Sequence, residues 1–98
     1  MANTGYVYLI RSTSGHYKIG SSKCPKKRLK QLAATTGPYE LELVREVKMY
    51  GSECYENVLH EYFSDHHVLG EWFEFDENAL KEVYRQFYMM EQVRLRPQ

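Results

Sequence analysis

Two short stretches decide the fold: Tyr6-Val7-Tyr8-Leu9-Ile10 and His16-Tyr17-Lys18-Ile19-Gly20. The first is β-branched and aromatic throughout and reads as a strand over residues 6–12. The cluster Ser12-Thr13-Ser14-Gly15 between them carries turn residues, and the second stretch returns as its antiparallel partner. Working outward, Pro25 suits the first turn of a helix with Cys24 or Ser22 near its N-cap. Leu29, Leu32 and Ala33 are its expected buried face, and Thr36-Gly37-Pro38 ends it.

The stretch 41–47 alternates as a third strand with partly solvated edges. Gly51-Ser52 breaks it and opens a helix over 53–63, with Val58, Leu59, Tyr62 and Phe63 as the expected apolar stripe. A loop over 64–69 precedes a strand over 70–75. Asp76 then caps a last helix in which Leu80, Val83, Tyr84, Phe87 and Met90 repeat at helical spacing. The order ββαβαβα predicts an α+β fold: a small mixed, largely antiparallel sheet flanked by helices. The 98 residues allow a single domain over 1–93 with a tail over 94–98. Such a length buries roughly 60–65% of the unfolded surface, enough for one core.

Thirteen Lys/Arg balance thirteen Asp/Glu, so the net charge is zero. The total conceals an asymmetry. Residues 1–50 hold nine Lys/Arg against three Glu, a balance of +6, and residues 51–98 hold four against ten acids, a balance of −6. Residues 11–30 carry seven cations and no acid. A basic helix with Lys26, Lys27, Arg28 and Lys30, entered through Lys23, is a natural grip for a phosphate-rich polyanion. For any one lysine, a solvated helix face is the ordinary explanation.

No stretch approaches the roughly 20 apolar residues of a membrane span, and the N-terminus has no signal-peptide core. Cys24 and Cys54 form no C-x-x-C pair, which points to reduced thiols and an intracellular, cytoplasmic or nuclear, unsecreted protein. Glu56 and His60 share a helix face at i, i+4, where they could hold a metal or water or form an ordinary surface pair. Cys54, His60, His66 and His67 do not have the spacing of common zinc modules. Gly70-Glu71-Trp72-Phe73 reads as a core anchor, with Trp72 packed and Glu71 beside the polar site.

Together these pieces resemble the GIY-YIG nuclease superfamily, over residues 5–75. Tyr6-Val7-Tyr8-Leu9-Ile10 is similar to its first tyrosine motif and Tyr17-Lys18-Ile19-Gly20 to its second. The helix arginine falls on Arg28 and the metal-binding glutamate on Glu56, within Glu56-x-x-Leu59-His60-x-x-Phe63. That segment and the later Gly-Glu-Trp-Phe resemble the small phage- and virus-associated branch. Two positions depart. Lys18 stands where other members have the second tyrosine, with Tyr17 directed to the opposite strand face, and Leu32 stands where some carry a histidine.

The resemblance implies divalent-metal-dependent hydrolysis of DNA phosphodiester bonds. Tyr8 or Lys18 would act on the attacking water, with cationic Lys18 also able to ease ionisation of the Tyr8 phenol. Arg28 would stabilise the phosphoryl oxygens, and Glu56 would hold one Mg²⁺ or Mn²⁺. Lys23, Lys26, Lys27 and Lys30 would bind the backbone of the nucleic acid. His60 would orient Glu56 or the phosphate, Glu71 would support the site, and Tyr17 would pack in the core. The two departures leave open a DNA-binding module of the same fold without turnover. A third reading is an interaction domain whose opposite charges pair head to tail. A homodimer or an appended specificity module would supply site choice.

Overall fold

The protein is described here by a computed structural model covering residues 4–94. In chain order the elements are β1 (Thr4–Ser12), β2 (Tyr17–Ser22), α1 (Pro25–Ala33), β3 (Leu41–Tyr50), α2 (Ser52–Tyr62), a single 3₁₀ turn (Ser64–His66), β4 (His67–Leu69), β5 (Trp72–Phe73) and α3 (Glu77–Arg94). The five strands form one sheet in the order β3-β1-β2-β5-β4, and each pairing is antiparallel. The fold is therefore α+β, as the element order predicts. It departs in two details: the sheet is antiparallel rather than mixed, and the expected loop over 64–69 contains β4. That strand is three exposed residues long, too short for its periodicity to be read from sequence. Of the expected tail 94–98, Arg94 ends α3 and the remainder lies outside the described residues.

Alternation along the strands divides the side chains between two faces. Val7, Leu9, Tyr17, Ile19, Val47 and Met49 face α2 and α3, and pack with Leu59, Phe63, Val83, Phe87 and Met90 into the core. Tyr8, Ile10 and Lys18 lie on the opposite face, which α1 crosses. A bulge in β3 skips Val44, because Leu9 pairs with Arg45 and Ile10 with Leu43. It turns Val44 onto the core and leaves Arg45 over the ring of Tyr84.

The β1–β2 turn closes through Ser12 and Gly15, with glycine supplying a φ of +96°. Its tip is pinned to the start of β3: the Thr13 amide donates to the Glu40 carbonyl and the Glu40 amide donates to Thr13 Oγ1. Asp76 caps α3 by accepting the Ala79 amide at 2.7 Å. Three expectations about burial fail. Val58 and Tyr62 of α2 are exposed, and only Leu59 and Phe63 of that stripe reach the core. Ala33 is exposed as well, because α1 rests on the sheet through half-buried Leu29 and Leu32. Trp72 is half-buried, and Phe73 is the core anchor. No helix among the described residues is long and apolar enough to cross a membrane.

Candidate active site at the edge of β2

The site forms where β2 loses its neighbour. β5 pairs with β2 only at Tyr17 and Lys18, which leaves the outer edge of Gly20–Ser22 without a strand. Ile19 marks the transition. Its amide donates to the Glu71 carbonyl at 3.3 Å, and its carbonyl accepts from His60 Nε2 at 2.7 Å. A backbone acceptor at an open edge needs a partner, and a helix side chain supplies it. The ring therefore carries its proton on Nε2. His60 does lie on the face of Glu56, 3.7 Å from Oε2, but its hydrogen bond fixes the strand edge instead of orienting that carboxylate.

Tyr8 enters from β1 on the α1 side. Its register partner is Gly20, and Lys18 lies diagonally across, opposite Ile10. Lys18 rather than Tyr17 shares the face of Tyr8. Tyr17 packs in the core against Phe75, with ring centres 5.8 Å apart. Lys18 is only 6% exposed, and its ammonium donates to Glu71 Oε1 at 2.8 Å. Glu71 sits in the β4–β5 turn and reaches around the edge to Glu56 on α2. Glu56 in turn accepts from Ser21 Oγ at 2.6 Å through Oε1. Ser21 has no counterpart in the sequence reading. Its one signal was its place immediately after Gly20 on a strand facing α2.

The electrostatics follow from this arrangement. Burial lifts the Glu56 carboxyl above the ordinary range, and the neighbouring Glu71 lifts it further, against the hydrogen bond from Ser21. Burial alone would lift Glu71 too, but the hydrogen bond and charge of Lys18 outweigh it and hold Glu71 low. Of two close carboxylates, the one paired to a buried cation keeps its charge and the other takes the strain. Burial also raises the Tyr8 phenol, as do the charges of Glu71 and Glu56, while Arg28 pulls it back by hydrogen bonding and charge. The cation that tempers Tyr8 is thus Arg28. Lys18 is turned to Glu71.

Arg28 projects from the second turn of α1 and is exposed, touching Gln31 at 3.4 Å. Lys23, Lys26, Lys27 and Lys30 are exposed along the same segment, and none of these cations pairs with a carboxylate among the described residues. Among the described residues no three of His, Cys, Asp and Glu converge as a metal site. His67 instead bonds the Gly70 carbonyl, and Cys24 and Cys54 are free and exposed.

Tyr8, Arg28, Glu56 and Glu71, far apart in sequence, therefore converge on one strand edge. The T5orf172 domain family matches residues 5–88. The chain belongs to the T5orf172 domain family. The match begins just before Tyr6 of the first strand and ends within α3, so it includes every residue of the site. Membership in this phage-associated family is consistent with a nuclease-like or DNA-binding module. No curated protein and no solved structure matches the T5orf172 chain.

Proposed function

We propose that this T5orf172 domain is a divalent-metal-dependent endonuclease of the GIY-YIG type that hydrolyses DNA phosphodiester bonds. The observation that carries the reading is that Tyr8 lies against Gly20 of β2 while the next residue, Ser21, bonds Glu56 of α2 at 2.6 Å, with Arg28 of α1 in hydrogen-bonding reach of the phenol. The donor set suits Mg²⁺ or Mn²⁺. Two carboxylates held close enough to raise Glu56 form a site of excess negative charge, and such ions are commonly bound by one or two carboxylates with water and substrate phosphate. When bound, the ion would supply Lewis-acid stabilisation of charge on the phosphate and the leaving oxygen.

The chain's own residues have distinct tasks. Ser21 immobilises Glu56 through Oε1, while Oε2 lies 3.7 Å from His60 Nε2. Lys18 holds Glu71 charged beside it. Arg28, paired with no carboxylate among the described residues, meets the phosphoryl oxygens as negative charge develops on them. Tyr8 orients a water for attack on phosphorus. The new P–O bond forms as the bond to the 3′ oxygen breaks, the water's proton leaves to solvent, and the 3′ oxygen takes one up. The five cations of residues 23–30 hold the adjoining backbone.

Plasmid incubated with the protein and Mg²⁺ or Mn²⁺ should be nicked or cut. Arg28→Ala and Glu56→Ala should each lower the rate by about 10²–10³-fold with the fold intact by circular dichroism. Full activity in both variants sinks the assignment. A module that binds DNA without turnover is the second reading, favoured by Lys18, whose ammonium is buried and committed to Glu71 rather than free to act on a water. It predicts salt-sensitive binding and no cleavage with any divalent ion.

A further inference from the structure

A second concavity lies on the same side of the sheet as Lys18, between the segment after α1 and the β4–β5 hairpin. It encloses about 270 Å³. Its walls are Tyr39, Val68, Leu69 and Trp72, and Tyr39 and Leu69 are 51% and 75% exposed. Large apolar side chains around one opening, outside the core, mark a surface that gains by being covered. Ser12, Ser14 and His16 complete the lining with their polar atoms turned to one another: Ser14 Oγ donates to Ser12 Oγ at 2.9 Å and lies 3.1 Å from His16 Nδ1, so the open surface is mostly apolar. Thr36 also lines the pocket, but its hydroxyl is shielded from the opening and has no hydrogen-bond partner among the described residues.

We propose that this pocket is a nucleobase subsite, receiving an unpaired base of the DNA strand gripped at the edge of β2. The proposal rests on the nuclease reading and narrows it to single-stranded or locally unpaired DNA. Trp72 joins the two places. It follows Glu71 in the chain and is the register partner of Lys18, whose ammonium lies 5.6 Å from the ring centre, so the pocket and the Lys18–Glu71 pair share a wall. A strand whose phosphate meets exposed Arg28 beside that pair carries its bases toward the same wall. Aromatic and aliphatic walls stack any base face without regard to its identity. The volume suits a flat ring system and is too small for a helix of about 10–12 Å diameter. A base stacked and paired within a duplex cannot enter without being extruded.

Trp72 is the only tryptophan, so intrinsic emission reports on this pocket directly. The test titrates the full chain, without divalent ion, against a fluorescein-labelled oligothymidylate, an abasic strand of equal length and a blunt duplex. Anisotropy follows binding and tryptophan emission follows the pocket. Oligothymidylate should change Trp72 emission and bind more tightly than the abasic strand. Tyr39→Ala and Leu69→Ala, both at exposed positions, should each weaken oligothymidylate binding about tenfold and leave abasic and duplex binding unchanged. Equal binding of abasic strand and oligothymidylate, with emission unmoved, overturns the base subsite and leaves the DNA reading standing. Emission that instead shifts with protein concentration alone assigns the pocket to a second copy and likewise overturns it. Absence of binding to all three probes overturns the DNA reading and this inference with it.

Discussion

The ring of Tyr8 occupies the space where a side chain at Gly20 would stand: a Cβ there would meet Tyr8 Cζ at 2.6 Å. The two are cross-strand partners in the β1–β2 hairpin, and the glycine lies in ordinary extended backbone without a positive φ. Close approach, not backbone freedom, requires glycine at this position.

Gly20→Ala should therefore cost about 1–3 kcal/mol in chemical denaturation, because a fully buried ring must move. The penalty should shrink markedly in a Tyr8→Ala background, where the obstructing ring is gone. Equal penalties in both backgrounds would place the strain elsewhere.

Glu56 and Glu71 should leave opposite marks on the pH dependence of stability. Glu56 is raised first by burial, so its contribution is fully present below the unfolded pKa and is lost as pH rises through the folded value. Glu56→Gln should melt above the parent at neutral pH, with the gap closing toward about pH 4. Glu71 is held low because Lys18 outweighs burial, so its contribution is present above the unfolded pKa and is lost as pH falls through the folded value. Glu71→Gln should melt below the parent at neutral pH and converge with it in acid. Added Mg²⁺ should narrow the gap between the parent and Glu56→Gln. Calorimetry across pH measures all three.

Removing Lys18 alone strands its partner. Lys18→Met should destabilise the fold, but by less than the about 3–5 kcal/mol of a fully buried pair, because Glu71 remains 40% exposed and can rehydrate. Lys18→Met with Glu71→Gln should recover most of the loss. Additive losses would show that the pair is not coupled.

The cations of residues 23–30 should declare themselves in salt dependence. Lys26→Gln and Lys30→Gln should each lower the slope of log K against log salt by roughly 0.7–0.9, with little change in stability because both are exposed. Unchanged slopes would remove α1 from the nucleic-acid face.

Much of the fold is legible because its signals are local. The turn at Ser12–Gly15, Pro25 at a helix start, the Asp76 cap and the period of Leu80, Val83, Phe87 and Met90 each act within a few residues. Burial within a stripe is less local. Val58 and Tyr62 have helical spacing but lie on the side of α2 turned from the sheet, and β4 exists only because β5 is there to pair with it. Tyr17 against Lys18 was readable from alternation alone, since a two-residue period sends neighbours to opposite faces.

The zero net charge similarly says little until its two halves are located in space. By itself the sequence determined the hairpin, the basic helix and the order of Tyr8, Arg28 and Glu56 along the chain, because each depends on residues near in sequence. Only the tertiary structure decided that Glu71 links Lys18 to Glu56, that Ser21 rather than His60 bonds the Glu56 carboxylate, and that Arg28 rather than Lys18 tempers Tyr8. These are contacts around a strand edge between segments as many as 53 residues apart (Lys18 to Glu71). No pattern along the chain records a contact made through space, where the length of β5 decides which edge is left open.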